Sequence, residues 1–514
     1  MSDYTFIVTA GAFFCFAVYK IVVHSRRVKL RGPPSPSFVF GHTQLVAAAQ
    51  SPAELYSKWS QEYGSIFQIR GPFGSCRLIA CDPRAIAHIY ALDSWKYCHS
   101  PLALKQLTSL TGPMSLIETL GAEHNLQRKI FSPLFGPAAL QSYTGWINDC
   151  GHKISSAWQS ELQSSSEQEI MVDLSTCINN FTFDLIGLIA FAHEFKSLDG
   201  EPSPVSSALS ALGHAKPSPA AMKILLAAQA FPSLLKLPLP RSILVNNLSD
   251  AMDAVVEGMV QKSGTDGPNK SVLGVLLTSG QFSPAQIQVH AKSFLLAGFA
   301  TTSSSIKWAL VELSMHPEKQ DRLRTELSVF RDQDPSYDAL ATGFAYLDAV
   351  LRETLRLHPV LSDSTRVALE DDVIPLSRPV QTASGAYVDK LPIAKGTHIT
   401  TSFFFTSLSK SVWGADASEF KPERWLDDSI PASAKEFPGY SHTMAFLDGP
   451  RTCLGKGLAL LELRMLLSLL VSRYSFSPKH GPQTKFERAF YLGPHPKVAG
   501  EPGAELPIRV KPVV

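Results

Sequence analysis

The chain has 514 residues, 45% hydrophobic and 18% charged, which supplies a large apolar core and excludes global disorder. A net charge of +2 gives no basis for nucleic-acid binding. Cys15, Cys76, Cys81, Cys98, Cys150, Cys177 and Cys453 are an odd, scattered set with no Cys-x-x-Cys pair, which argues against a disulfide framework or zinc site and for a reducing compartment.

Residues 4–23 are apolar apart from Thr5, Thr9, two tyrosines and Lys20, long enough to span a bilayer if Lys20 snorkels. No positive side chain precedes this stretch, whereas His24, Arg26, Arg27, Lys29 and Arg31 follow it. A cleaved signal would carry its charges in front, so residues 1–23 are expected to be a retained anchor with the remainder of the chain cytosolic. Residues 24–40, with Arg31-Gly32-Pro33-Pro34-Ser35-Pro36, form a basic, stiff hinge, and 41–514 a single folded domain. The sequons at Asn180, Asn247 and Asn269 are then expected to carry no glycan.

In the body, residues 52–63 read as a short helix, and 65–69 and 76–80 as strands joined through Gly71-Pro72-Phe73-Gly74. Residues 102–120, with Gly112-Pro113, read as loop. In the stretch 121–129, His124 and Arg128 are four apart and share a helix face. Residues 170–195 are an apolar helix candidate. The Phe231 to Pro240 run fits both a buried connection and an exposed apolar lip. Residues 263–271 read as loop.

Ser283-Pro284-Ala285-Gln286 combines an N-cap, a proline at the first helical position and a capping box. The helix it opens is expected to reach His316-Pro317, ~50 Å at about 1.5 Å per residue. Midway lie the small residues Ala297-Gly298-Phe299-Ala300-Thr301-Thr302, which leave room for a planar ligand near the backbone and place a hydroxyl beside it. A second helix ends at Pro359 and carries Glu353 and Arg356 on one face. Residues 360–365 are expected to line a pocket, 367–399 to form a small β region, and Phe403, Phe404 and Phe405 to be core.

Phe446-Leu447-Asp448-Gly449-Pro450-Arg451-Thr452-Cys453-Leu454-Gly455 precedes an apolar run in which Leu458, Leu461, Met465 and Leu469 keep helical spacing. Cys453 is therefore expected at a helix N-terminus, where free N–H groups and the dipole lower a thiol pKa and favour metal binding. Gly449 and Gly455 allow close approach of a flat ligand, Phe446 can shield one side and Arg451 can meet a carboxylate.

At every fixed position this string resembles the haem-binding loop of the cytochrome P450 family, Phe-x-x-Gly-x-Arg-x-Cys-x-Gly. The resemblance implies a mostly α fold with a small β region behind one N-terminal transmembrane helix. It implies heme b with Cys453 as the iron ligand, in a loop that includes Phe446, Arg451 and Gly455. His124 (where the family commonly has Trp), Arg128, Arg366 and Arg451 fall at propionate-binding positions. Thr301 matches the oxygen-activating threonine; Gly298 and Ala300 fall in the same catalytic stretch, with Ala300 at the usual acid. Glu353, Arg356 and Arg424 match a buried structural Glu–Arg–Arg cluster.

The chain looks most like fungal microsomal members. The resemblance thus implies a monooxygenase of the endoplasmic reticulum membrane, single-pass and with its catalytic domain cytosolic. It would take O2, electrons from NADPH-cytochrome P450 reductase docked near Lys129 and Lys456, and a lipophilic substrate such as a terpenoid or other secondary metabolite, and it would contact membrane lipid. Two alternatives stay open at this point. One is a haem-thiolate isomerase or dehydratase that needs no external electrons, which Ala300 favours; the other is a non-catalytic membrane haem protein.

Overall fold

A computed structural model describes residues 29–513 except 50, 51, 202, most of 215–239, 267–270, 342, 428, 491 and 492. The expected anchor, the first part of the hinge and most of the Phe231 to Pro240 run lie outside the described residues.

One helix organises the body. It is α8 (Pro284–Met315), and it begins where the capping box places it: Ser283 Oγ accepts from Gln286 N at 3.3 Å, and Gln286 Oε1 accepts from Ser283 N at 2.9 Å. Its side chains are buried nearly all round, as an internal helix requires. Around it pack α6 (Leu174–Phe191), α7 (Pro240–Asp266), α9 (Ala345–Leu357) and α10 (Lys456–Arg473), with α5 (Pro137–Ser164) against α10. Helices α6 and α8 are both long and apolar enough to cross a membrane, but they are core helices here, since each is mostly buried by its neighbours.

To one side lies a five-stranded sheet in the order β1-β2-β8-β5-β3. Strands β1 (Ile66–Arg70) and β2 (Cys76–Ala80) form the expected hairpin, following α1 (Pro52–Tyr63). The helix α2 (Pro83–Ala91), capped by Asp82, leads to β3 (Tyr97–His99). Strand β5 (Asp363–Ala368) runs antiparallel to β3, with Arg366 opposite His99, and antiparallel to β8 (His398–Ser402). The hairpin β6 (Asp372–Gln381) and β7 (Tyr387–Ile393) completes the β region, and Phe403, Phe404 and Phe405 are buried after β8.

Three stretches differ from expectation. Residues 102–111 are helical, in α3 (Pro101–Thr111): Ser100 Oγ caps Ala103 N, Pro101 opens the helix and Gly112, at φ 89°, closes it. The run from 170 starts as a strand, β4 (Ile170–Asp173), because β10 (Pro507–Pro512) pairs with it, and β9 (Tyr474–Pro478) completes that sheet. Helix α7 continues through Gly264 to Asp266; a helical glycine costs only ~1 kcal/mol and does not end it.

Candidate functional site

The loop before α10 is shaped by its glycines and its cysteine. Gly449 has φ +65°, and a Cβ there would lie 2.1 Å from Tyr90 O on α2, so this glycine serves the close approach of loop to helix rather than of a ligand. Gly455 is different: its φ is −83° and no protein atom lies within 4 Å of an added Cβ. The polypeptide itself does not demand glycine there; space for a flat group beside Cys453 does. Cys453 N donates to Phe446 O at 2.8 Å, and the Phe446 ring meets Tyr440 edge-on at 5.5 Å.

Cys453 stands three residues ahead of α10 and is exposed, yet it is crowded enough for burial to be the strongest influence on its thiol; it opens onto interior space. Burial pushes the thiol above its ordinary value. The N–H groups of Gly455 and Lys456 and the charges of Arg128 and Lys456 offset only part of that. The expected lowering is thus corrected: the helix start assists a thiolate without outweighing burial.

Above the loop sits a cluster of cations. Arg366 and Arg451 are buried, and Arg128 is half-buried. Arg366 Nε donates to Asp93 Oδ2 at 2.8 Å, and its Nη1 meets His99 Nδ1 at 3.1 Å. Arg451 donates to the carbonyls of Ile117 (2.8 Å) and Thr119, and its Nε lies 3.5 Å from Asp93 Oδ1. Arg128 on α4 (Gly121–Phe131) donates to Thr452 O at 2.7 Å, which puts it beside Cys453. His124, one turn earlier, is buried with Nδ1 unpartnered, and burial, then Arg451 and Arg128, pull its pKa down to about 4, so it is neutral at pH 7.

Two guanidinium groups, Arg366 and Arg451, share one carboxylate, Asp93, and Arg128 adds a third positive charge beside Cys453. Hydrogen bonds to carbonyls satisfy donors but do not cancel charge, and buried uncompensated charge is costly. A group bearing two carboxylates balances the cluster, and haem, with two propionates, fits it.

On α8, only part of the expected catalytic stretch faces open space. Ala297 is exposed and Thr301 partly so, one turn apart on one face, and Thr301 Oγ1 donates to Ala297 O at 2.7 Å. Gly298 does not admit a ligand: a Cβ there would lie 2.5 Å from Ile186 Cδ1 on α6, so the glycine permits helix packing. Ala300 is buried in the apolar cluster that also holds Phe299 and Ile186. Helical spacing identified the stretch but not which side of it the partner helix covers. Gly298→Val is accordingly expected to lower stability by about 1–3 kcal/mol through overpacking. Adding Ile186→Ala should recover part of that loss in thermal unfolding, with the Soret band unmoved in both variants; recovery of nothing would return Gly298 to the pocket side.

Glu353, Arg356 and Arg424 meet in full burial. Glu353 Oε1 accepts from Arg356 Nη2 (2.8 Å), Arg424 Nε (2.9 Å) and Lys421 N (2.9 Å); Oε2 accepts from Arg356 Nε (2.9 Å) and Trp425 Nε1 (3.0 Å). Arg356 also holds the carbonyls of Ser407, Ala417 and Glu419. Sequence spacing missed the roles of Asp93 and His99, which meet Arg366 across more than 260 residues, and of Trp425, which meets Glu353 across 72.

A long small-residue helix over a cysteine loop, flanked by a small sheet that carries a carboxylate-seeking arginine, defines a haem-thiolate oxygenase. The cytochrome P450 family model matches residues 31–499. Cytochrome P450 monooxygenase claP of Ampulloclitocybe clavipes is 40% identical over 512 residues, covering 96% of this chain and 95% of that protein. Cytochrome P450 monooxygenase claO of the same fungus is 39% identical, covering 95% and 94%. Cytochrome P450 monooxygenase 205 of Postia placenta is 30% identical, covering 96% of both chains. The chain belongs to the cytochrome P450 family. It is a monooxygenase with a cysteine-ligated haem iron, and it requires O2, a substrate and a redox partner.

Proposed function

We propose that Cys453 is the iron ligand of a membrane-anchored monooxygenase that hydroxylates or epoxidises a lipophilic small molecule, with electrons from NADPH through a separate reductase. The observation that carries this is Cys453 opening onto interior space beside Gly455, where no protein atom needs the room. The overall reaction takes substrate, O2, two electrons and two protons to oxygenated substrate and water. The haem supplies oxygen binding and reductive O–O cleavage, favoured by a thiolate ligand.

The chain's residues do the rest. Thr301 Oγ1, now donating to Ala297 O, is the hydroxyl able to hold a proton on the open face of α8. Ala297 gives that face its apolar surface. With Ala300 buried among apolar groups, no carboxylate stands at that position to carry protons, so Thr301 and water take that task. Arg128, Arg366, Arg451 and His124 seat the propionates, while Glu353, Arg356 and Arg424 hold the segment before the loop. The apolar 4–23 stretch with its following basic residues supports a single-pass anchor in the endoplasmic reticulum membrane, residues 24–40 a hinge and 41–514 a cytosolic domain. A terpenoid or other fungal secondary metabolite is the proposed substrate class, and NADPH-cytochrome P450 reductase the donor.

The test is a carbon monoxide difference spectrum of the full chain in membranes, reduced only by NADPH and a partner reductase. A strongly red-shifted Soret band is expected. A band obtained only with chemical reductant, after a second reductase has been tried, would overturn the electron route. Its absence with either reductant, in haem-loaded protein, would overturn Cys453 as ligand.

A further inference from the structure

We infer that Asp93 is a positioning residue that sets the net charge of the haem seat and aims its two buried arginines. The inference rests on the proposed seating of the propionates by Arg366 and Arg451. Asp93 lies just past the end of α2 and is fully buried. It is fixed before any ligand arrives. Its backbone N–H donates to Tyr90 O at 3.3 Å, it bridges to Tyr97, and its Oδ1 accepts from Ser94 N at 3.0 Å, with Ser94 held at φ 78°.

From that fixed point one carboxylate reaches two separate elements. Oδ2 takes the Nε–H of Arg366, from β5, at 2.8 Å and lies 2.8 Å from Nη2, off the hydrogen-bonding line. Oδ1 lies 3.5 Å from Nε of Arg451, two residues before Cys453. A paired register completes the frame: β3 sets His99 opposite Arg366, and Arg366 Nη1 donates to His99 Nδ1. A guanidinium has only donors, so Nδ1 must accept and the His99 proton sits on Nε2, leaving a further N–H donor at the seat. Burial, followed by the charges of Arg366 and Arg451, holds His99 well below the ordinary histidine value, so it stays neutral. Tyr90 closes the cluster, with the Arg366 guanidinium 5.3 Å from its ring centre.

The charge balance gives Asp93 its role. With Asp93 ionised, Arg128, Arg366 and Arg451 leave two positive charges, which two propionates cancel. Without it they leave three, and the seat becomes more positive beside the iron. In a low-dielectric interior, that excess favours the reduced over the oxidised haem. Asp93 therefore tunes how readily the bound haem accepts its electron, apart from any part in folding.

The experiment compares holoenzymes carrying Asp93→Asn, which keeps the shape and removes the charge, and Asp93→Glu, which keeps the charge. The ferric/ferrous midpoint potential is measured by spectral titration, with haem retention followed by transfer to apomyoglobin. Asp93→Asn is expected to shift the potential positive and to speed haem loss, while the carbon monoxide band stays red-shifted; Asp93→Glu is expected to hold the wild-type potential. A role in structure alone would speed haem loss in both without moving the potential, and that result overturns the proposal. If Asp93→Asn accumulates without haem, Asp93→Glu loaded and at the wild-type potential upholds the charge role, and failure of both to load overturns it. Arg366→Ala separates the two levels. If it retains haem at unchanged potential, the seating itself is wrong; if it perturbs haem while Asp93→Asn does not, only the role of Asp93 falls.

Discussion

Glu353→Ala is expected to yield protein with no bound haem. Five hydrogen bonds end on the Glu353 carboxylate, two from Arg356 and one each from Arg424, Lys421 N and Trp425 Nε1. Alanine would leave two buried guanidinium groups without their shared counter-charge, a loss of about 3–5 kcal/mol. Domains of this kind are stable by only about 5–15 kcal/mol, so the loss is a large share of the total. It falls on the segment from Asp416 to Trp425, which Arg356 and Arg424 pin through the carbonyls of Ala417, Glu419 and Asp416. Arg356→Ala is expected to act alike, because it removes the guanidinium that holds two of those carbonyls, and that of Ser407, and leaves the Glu353 carboxylate under-paired. Even Arg356→Lys should fail in part, since an ammonium cannot reproduce the forked contact with both carboxylate oxygens. The haem-to-protein ratio of purified variants checks this. A normal ratio in Glu353→Ala and Arg356→Ala would mean that the cluster is worth no more than a surface ion pair, about 0–1 kcal/mol.

Local chemistry made much of the architecture legible. Ser283, Pro284 and Gln286 announce the start of α8 because all three act within one turn, and the β1–β2 hairpin follows from its own turn residues. The same kind of signal at Ser100-Pro101, with Gly112 as terminator, starts and ends α3. Residues 170–173 form a strand because β10 lies beside them, more than three hundred residues later in the chain. Gly298 illustrates a different limit: spacing gives the period of a helix, not which side its neighbour covers, and Ile186 decides that. Asp93 was hidden for both reasons, since its partners Arg366 and Arg451 meet it only once the sheet and the cysteine loop are assembled. The position of Cys453 was legible, but its acidity was not, because the burial that raises it comes from the whole fold.

Cys453→Ser is expected to give folded protein that lacks the strongly red-shifted carbon monoxide band and any measurable monooxygenase turnover. The substitution is small in volume, and the backbone that shapes the loop stays tied, with residue 453 N donating to Phe446 O and Gly449 held against Tyr90 O. What changes is the ligand. In the free protein burial already pushes the thiol up, against the pull of the Gly455 and Lys456 N–H groups and of Arg128 and Lys456. A serine hydroxyl is a far weaker acid than a thiol, and the same burial acts on it, so the anionic ligand that drives O–O cleavage is not available at neutral pH. On the proposed ligation, a thiolate at this position depends on the bound cation, which carries a second expectation for the wild-type chain. Alkylation of Cys453 by a small reagent should be slow in haem-free protein near neutral pH, rise as pH passes above the ordinary thiol range, and be blocked once haem is loaded. Fast alkylation at neutral pH would mean that the helix start alone stabilises the thiolate. Retention of the red-shifted band in Cys453→Ser would remove Cys453 from the iron altogether, and the charge argument for the arginine cluster would then have to stand without it.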